Sequence, residues 1–129
     1  MERRTVSANR PWERIVGYSR AVRIGDAVEV SGTAAAGPDG AVIAPGDVYG
    51  QTKEALRIIG EALEELGASF HDVTRTRVFL TDISAWEEAG RAHGEVFADI
   101  RPANIFAGVT GFVDPDILVE VEVSAVVGS

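Results

Sequence analysis

The sequence predicts an α+β sandwich, a mixed sheet of about six strands with two helices on one face. Three observations lead there. The run Leu118-Val119-Glu120-Val121-Glu122-Val123 alternates with period 2, so its valines share one face of a strand and its carboxylates the other. Leu56, Ile59, Leu63 and Leu66 recur at helical spacing and form one apolar stripe. Strand-like and helix-like segments then succeed one another as strands, helix, strand, helix, strands, with no internal repeat, low-complexity tract or linker. The whole chain, residues 1–129, reads as a single domain, long enough to bury a core.

Each element has its own signal. Tyr18 to Ile24 alternates, Gly25-Asp26 makes a turn, and Ala27 to Thr33 forms a second strand, the pattern of a hairpin. Pro38-Asp39-Gly40 is a turn, because proline presets φ and glycine accepts positive φ. Asp47 is the expected N-cap of the first helix and Gly67 its C′ residue. Val73 to Thr81 is a β-rich strand. Ser84-Ala85-Trp86-Glu87 has the form of a capping box opening a second helix, which stops before Pro102. The apolar stripe of that helix runs through Trp86, Ala89, His93, Val96/Phe97 and Ile100. Asn104 to Val109 and Ile117 to Val127 close the chain as strands, joined by a loop with Gly111, Asp114 and Pro115. Two helices cover one face of such a sheet and leave the other open. Apolar residues there predict self-association.

Composition narrows the function. Net charge is −8, which disfavours a phosphate-backbone partner. There is no cysteine, which removes disulfides, thiolate catalysis and cysteine-ligated metal. The two histidines, His71 and His93, do not suffice for a multi-histidine metal site. Arg3, Arg4, Arg10 and Arg14 are followed by no apolar run of the signal-peptide kind. No stretch reaches membrane-spanning length, so a cytoplasmic protein without membrane contact is expected.

A set of short motifs appears in order along nearly the whole chain. They are Gly17-Tyr18-Ser19-Arg20-Ala21-Val22, Val30-Ser31-Gly32, Gln51-Thr52, Gly67-Ala68-Ser69, Asp72-Val73, Val78-Phe79-Leu80-Thr81-Asp82, Arg101-Pro102-Ala103 and Val119-Glu120-Val121-Glu122. Each is weak alone; the ordered set resembles the Rid family, the reactive intermediate deaminases also called YjgF or L-PSP proteins. The resemblance implies a chorismate-mutase-like fold and a homotrimer whose sheets form a central barrel, with clefts between neighbouring subunits. It also implies hydrolysis of enamine or imine intermediates to ketones and ammonia, without cofactor. Typical members carry arginine directly after the Pro-Ala, where its planar fork holds the substrate carboxylate. This chain has Asn104 there, a single neutral donor. Losing such a charge pair is worth on the order of 1–4 kcal/mol, so small 2-imino acids should bind more weakly. Gly90, His93 and Phe106 depart from the family pattern as well, which reads as a remodelled pocket.

The candidate residues follow from that match, each beside a plainer reading. Glu120 matches the family's pocket glutamate, which positions or activates water; otherwise it is a solvent carboxylate or half of an ion pair. His93 is the second catalytic candidate, a proton shuttle, against a satisfied core histidine. Tyr18, Gly32, Asn104 and Phe106 are the binding candidates. Arg77 either substitutes for the missing arginine or pairs with Glu120 or Glu122 on a neighbouring strand. Glu122 reads as structural. The expected ligand is a small molecule; no metal, cofactor, nucleic acid or membrane is expected. Two functions compete: an imine or enamine hydrolase with altered substrate, and a non-catalytic trimer that binds a small metabolite. An endoribonuclease, an old family label, is disfavoured by the acidic balance and the lack of a basic patch with interleaved aromatics.

Overall fold

The computed structural model describes residues 1–128, so only Ser129 of the expected domain lies outside it. Six strands, β1 (Arg3–Val6), β2 (Ala21–Ile24), β3 (Ala27–Thr33), β4 (Val73–Leu80), β5 (Ala103–Gly108) and β6 (Val119–Val126), form one sheet in the order β1-β2-β3-β6-β4-β5. The β4–β5 pair is parallel and every other pair antiparallel, so the sheet is mixed as expected. The parallel pair needs a crossover, supplied by α3 (Trp86–Phe97). The long helix α2 (Val48–Glu65) connects β3 to β4, and a single-turn helix α1 (Glu13–Val16) precedes β2.

Both long helices lie on one sheet face. Leu56, Ile59 and Leu63 of α2 and Ala89 and Phe97 of α3 pack with Val28, Val30, Val78, Leu80, Val119, Val121 and Val123 in one cluster. The alternation in β6 is realised: Val119, Val121 and Val123 are buried while Glu120, Glu122 and Ser124 are half-buried on the other face. The α2 termini also follow the sequence. Asp47 accepts from the Gly50 N–H at 2.9 Å. Gly67, at φ 75°, donates to the Glu64 carbonyl and Ala68 to that of Leu63, a Schellman closure. Arg4 and Arg23 donate to the Leu66 carbonyl, placing positive charge at the negative end of the helix dipole.

Four details differ from expectation. The first two elements, β1 and α1, were not anticipated; β1 is a short edge strand of mostly exposed residues, with no burial period to read. The first strand of the hairpin begins at Ala21, because Tyr18, Ser19 and Arg20 belong to the approach from α1. The capping box at Ser84 does not form. Asp82 instead accepts from the Ser84 N–H and hydroxyl and caps a 3₁₀ turn, so α3 starts at Trp86. Trp86 is accordingly 54% exposed rather than part of the buried stripe. The uncovered sheet face is also less apolar than expected. Its centre is a polar ladder in which Arg77 Nε lies 3.5 Å from Glu122 Oε1 and the Ser124 hydroxyl donates to Glu29. Its apolar residues, Phe79, Ile105, Ile24 and Val126, lie around that ladder.

Candidate functional site

β3 carries one extra residue against β6. Val30 pairs with Val123, yet Thr33 pairs with Val121, so three steps along β3 match two along β6. Such a bulge re-aims the side chains that follow it. Here it turns Thr33 inward, fully buried, and brings Gly32 against Glu120. A Cβ at position 32 would lie 2.9 Å from Glu120 Oε1, so the close approach is open only to glycine in this arrangement.

Glu120 and Gly32 line a cavity of about 340 Å³, with Tyr18, Arg20, Arg10 and Trp12. Its outer wall is the loop around Val113, Pro115 and Ile117. The fully buried amide of Gln51 fixes that loop, donating to the Asp116 carbonyl and accepting from the Leu118 N–H. The opposite wall is fixed by α1. Glu13 accepts from the Ser7 hydroxyl and the Ala8 N–H, and the indole of Trp12 lies over Gly40 in the Pro38-Asp39-Gly40 turn. Gly40 has φ 86° and its N–H donates to the Gly37 carbonyl, as the turn chemistry of the sequence requires.

Two charged groups that line the cavity are displaced from their usual pKa. Burial pushes the Glu120 carboxyl above the usual carboxylate range; Arg20 opposes this and Glu122 adds to it. Burial lowers the Arg20 guanidinium, which is only 5% exposed. Its Nη1 donates to the Gly32 carbonyl at 3.1 Å and to Thr33 Oγ1 at 2.9 Å. A raised carboxyl beside a cavity is suited to accept a proton near neutral pH.

The sequence-predicted residues therefore fall into three places in one chain. Tyr18, Gly32 and Glu120 share the cavity. Arg77 sits on the polar ladder of the open face, engaged with Glu122 and Ser124, in a separate pocket that Tyr18 also lines. Asn104, His93 and Phe106 lie together at the β5 edge. Asn104 Nδ2 donates to Thr76 Oγ1 at 2.9 Å, and that hydroxyl lies 2.8 Å from His93 Nε2. The His93 ring packs on Phe97 and Phe106 and its pKa is lowered by burial. Arg77 and Asn104 occupy successive registers, opposite Ile105 and Thr76 respectively, so their side chains leave opposite faces of the sheet. Arg10, Trp12 and Arg20 were not singled out from sequence; Arg20 stood inside a quoted motif, but nothing in its alternation marks it as buried.

A family model described as Endoribonuclease L-PSP matches residues 8–127. The chain belongs to this family, the YjgF/L-PSP or Rid proteins. A protein of Streptomyces coelicolor is 42% identical over 126 residues, covering 98% of this chain and 93% of that protein. A RutC family protein of Pyrococcus abyssi is 32% identical over 108 residues, 84% of each chain. Among solved structures, Rv2704 of Mycobacterium tuberculosis, a member of the YjgF/YER057c/UK114 family, is 44% identical with a TM-score of 0.87, covering 98% of this chain and 100% of that one. Rid membership accounts for the mixed sheet, the two long helices and the order of the motifs. Among the described residues no helix is long and apolar enough to cross a membrane.

Proposed function

We propose that this Rid protein hydrolyses an enamine or imine, or a related small reactive metabolite, in the cavity of Glu120. The observation that carries the reading is the setting of Glu120: half-buried, raised in pKa, against the bare backbone of Gly32, in one cavity with Tyr18. Glu120 takes a proton from water as the water oxygen bonds to the imine carbon. Glu120 passes that proton to the substrate nitrogen, and the addition product carries hydroxyl and amine on one carbon. The hydroxyl proton then moves through Glu120 to that nitrogen, the C–N bond breaks as C=O forms, and ammonia leaves. Imine and water are consumed, carbonyl compound and ammonia appear, and Glu120 returns to its starting state.

The proposal includes a cytoplasmic homotrimer in which the β5 edge of a neighbouring subunit, with Asn104, Phe106 and His93, closes the cleft. With asparagine at position 104, already donating to Thr76, the short 2-imino acids 2-iminobutyrate and 2-iminopropionate are poor substrates. The test follows imine loss across a panel of amino-acid-oxidase products. Slow turnover of those two, faster turnover of another member and loss of both in Glu120→Gln are expected. A panel hydrolysed no faster than buffer alone would favour the second reading, a non-catalytic trimeric metabolite-binding protein. The engagement of Asn104 with Thr76 and His93 is the observation on that side. The endoribonuclease description of the family model fits poorly with a net charge of −8.

A further inference from the structure

Arg20 is a buried cation with no ion pair. Among the described residues no carboxylate lies within 4.0 Å of its guanidinium, and only Nη1 finds protein acceptors. Yet no buried side-chain nitrogen or oxygen among those residues lacks a partner. The remaining donors of Arg20 therefore face open volume, and Arg20 lines two such volumes: the cavity shared with Glu120 and Tyr18, and a second one bounded by Ser7, Arg57, Glu61 and Glu65. A charge taken out of water without a partner is expensive, and an anion arriving from the cavity removes that cost. Arginine presents a planar fork matched to a carboxylate. Arg10 and Asp114 also line the cavity, and much of the remaining wall, Trp12, Ala34, Ala36, Pro115 and Ile117, is apolar. Such a wall suits an organic body better than a hydrated inorganic ion.

We propose that Arg20 is the carboxylate-holding residue of this protein, and that the ligand of the cavity is a small organic carboxylate with an apolar body. Resting on the hydrolase reading, this deepens it: the carboxylate is held from the approach to β2 within the chain's own cavity, rather than from position 104 on β5. A 2-imino acid clamped from this side presents its reacting carbon to Glu120 differently from one clamped at position 104. Carboxylates with other spacing between acid and imine are then preferred.

The test uses benzoate, its neutral isostere benzamide, and sulfate, each titrated calorimetrically into the full-length protein. Benzoate is expected to bind at least about tenfold more tightly than benzamide. In Arg20→Gln, whose amide can still reach the Gly32 carbonyl and Thr33, that preference is expected to fall below about twofold. Should the glutamine variant fail to fold by circular dichroism, Arg20→Lys retains the charge without the fork, and a several-fold loss of preference is expected there. Equal binding of benzoate and benzamide, no benzoate binding in the millimolar range, or a preference unchanged in the variants overturns the proposal. Sulfate binding tighter than benzoate overturns the carboxylate assignment. Failure of the hydrolase reading looks different: benzoate selectivity depends on Arg20 while no imine in the panel is turned over.

Discussion

Replacing Gly32 by alanine separates the position of the Glu120 carboxylate from the stability of the fold. The new Cβ would meet one atom within 4 Å, Glu120 Oε1, at 2.9 Å. Ordinary contact begins near 3.4 Å, so the carboxylate must retreat by about 0.5 Å. It can do so, because it is the end of a flexible side chain and the backbone at Gly32 is not left-handed. Alanine removes about 0.4–1 kcal/mol of unfolded-chain freedom, and a displaced side chain costs about 0.5–1.5 kcal/mol. These nearly cancel, so the melting temperature should move by no more than about 4 °C. Chemistry is less tolerant, since misplacement by 1 Å can cost about a hundredfold. A half-ångström shift of the base predicts a fall in kcat/KM of roughly tenfold. Calorimetry and the rate on the best imine of the panel are measured on the same preparation. A variant of normal stability and full rate would refute the assignment of Glu120 as the base. A melting temperature lowered by much more than the stated shift would show that glycine serves the bulge rather than the carboxylate.

Three further outcomes follow from the same structure. Glu120→Gln should stabilise the fold at neutral pH relative to the parent, with no gain below about pH 4.5. The folded pKa is raised, so the parent's contribution is intact below the unfolded value of 4.5 and drains away as pH rises through the folded one; thermal melts at pH 4 and 7.5 check this, and a gain that is larger in acid would contradict it. The His93 ring should titrate below 6.5 by NMR, because burial disfavours its charged form. Its share of stability is therefore present above 6.5 and lost as pH falls through the lower folded value, and a midpoint at or above 6.5 would show the ring to be solvated. Sedimentation equilibrium at micromolar concentration should return a trimer, whereas a monomer would remove the neighbouring β5 edge from the proposed cleft.

The parts of the fold legible in the sequence were those written in periodic burial. The valine ladder of β6 and the leucine stripe of α2 each project one physical constraint onto a regular spacing. The Asp47 cap and the Gly67 closure were legible because each depends on one residue's local chemistry. What escaped was set by contacts distant in sequence. Whether Ser84 or Asp82 caps depends on which helical turn starts first, and both residues are good caps. The bulge in β3 has no signature beyond Gly32 itself, since it is defined only against β6. Among site residues, Glu120, Tyr18 and Gly32 could be named together because the family match carries them. Arg20 could not, because an arginine in an alternating strand ordinarily reads as a solvated charge.

That last residue changes the meaning of the departure at position 104. Considered alone, Asn104 describes a site that has lost its cation. The structure shows a guanidinium lining the cavity of Glu120, held by the Gly32 carbonyl and the Thr33 hydroxyl. Those two bonds occupy only Nη1, and the remaining donors are open to an arriving acceptor. Arg77, the cation that sequence reasoning offered as a substitute, is already committed to Glu122 and Ser124. Asn104 in turn donates to Thr76, whose hydroxyl also meets His93, so its amide nitrogen is engaged within the chain. A site whose uncommitted positive charge has moved from β5 to the approach to β2 selects for a different placement of the ligand's acid group. It does so while keeping the same glutamate over the same glycine.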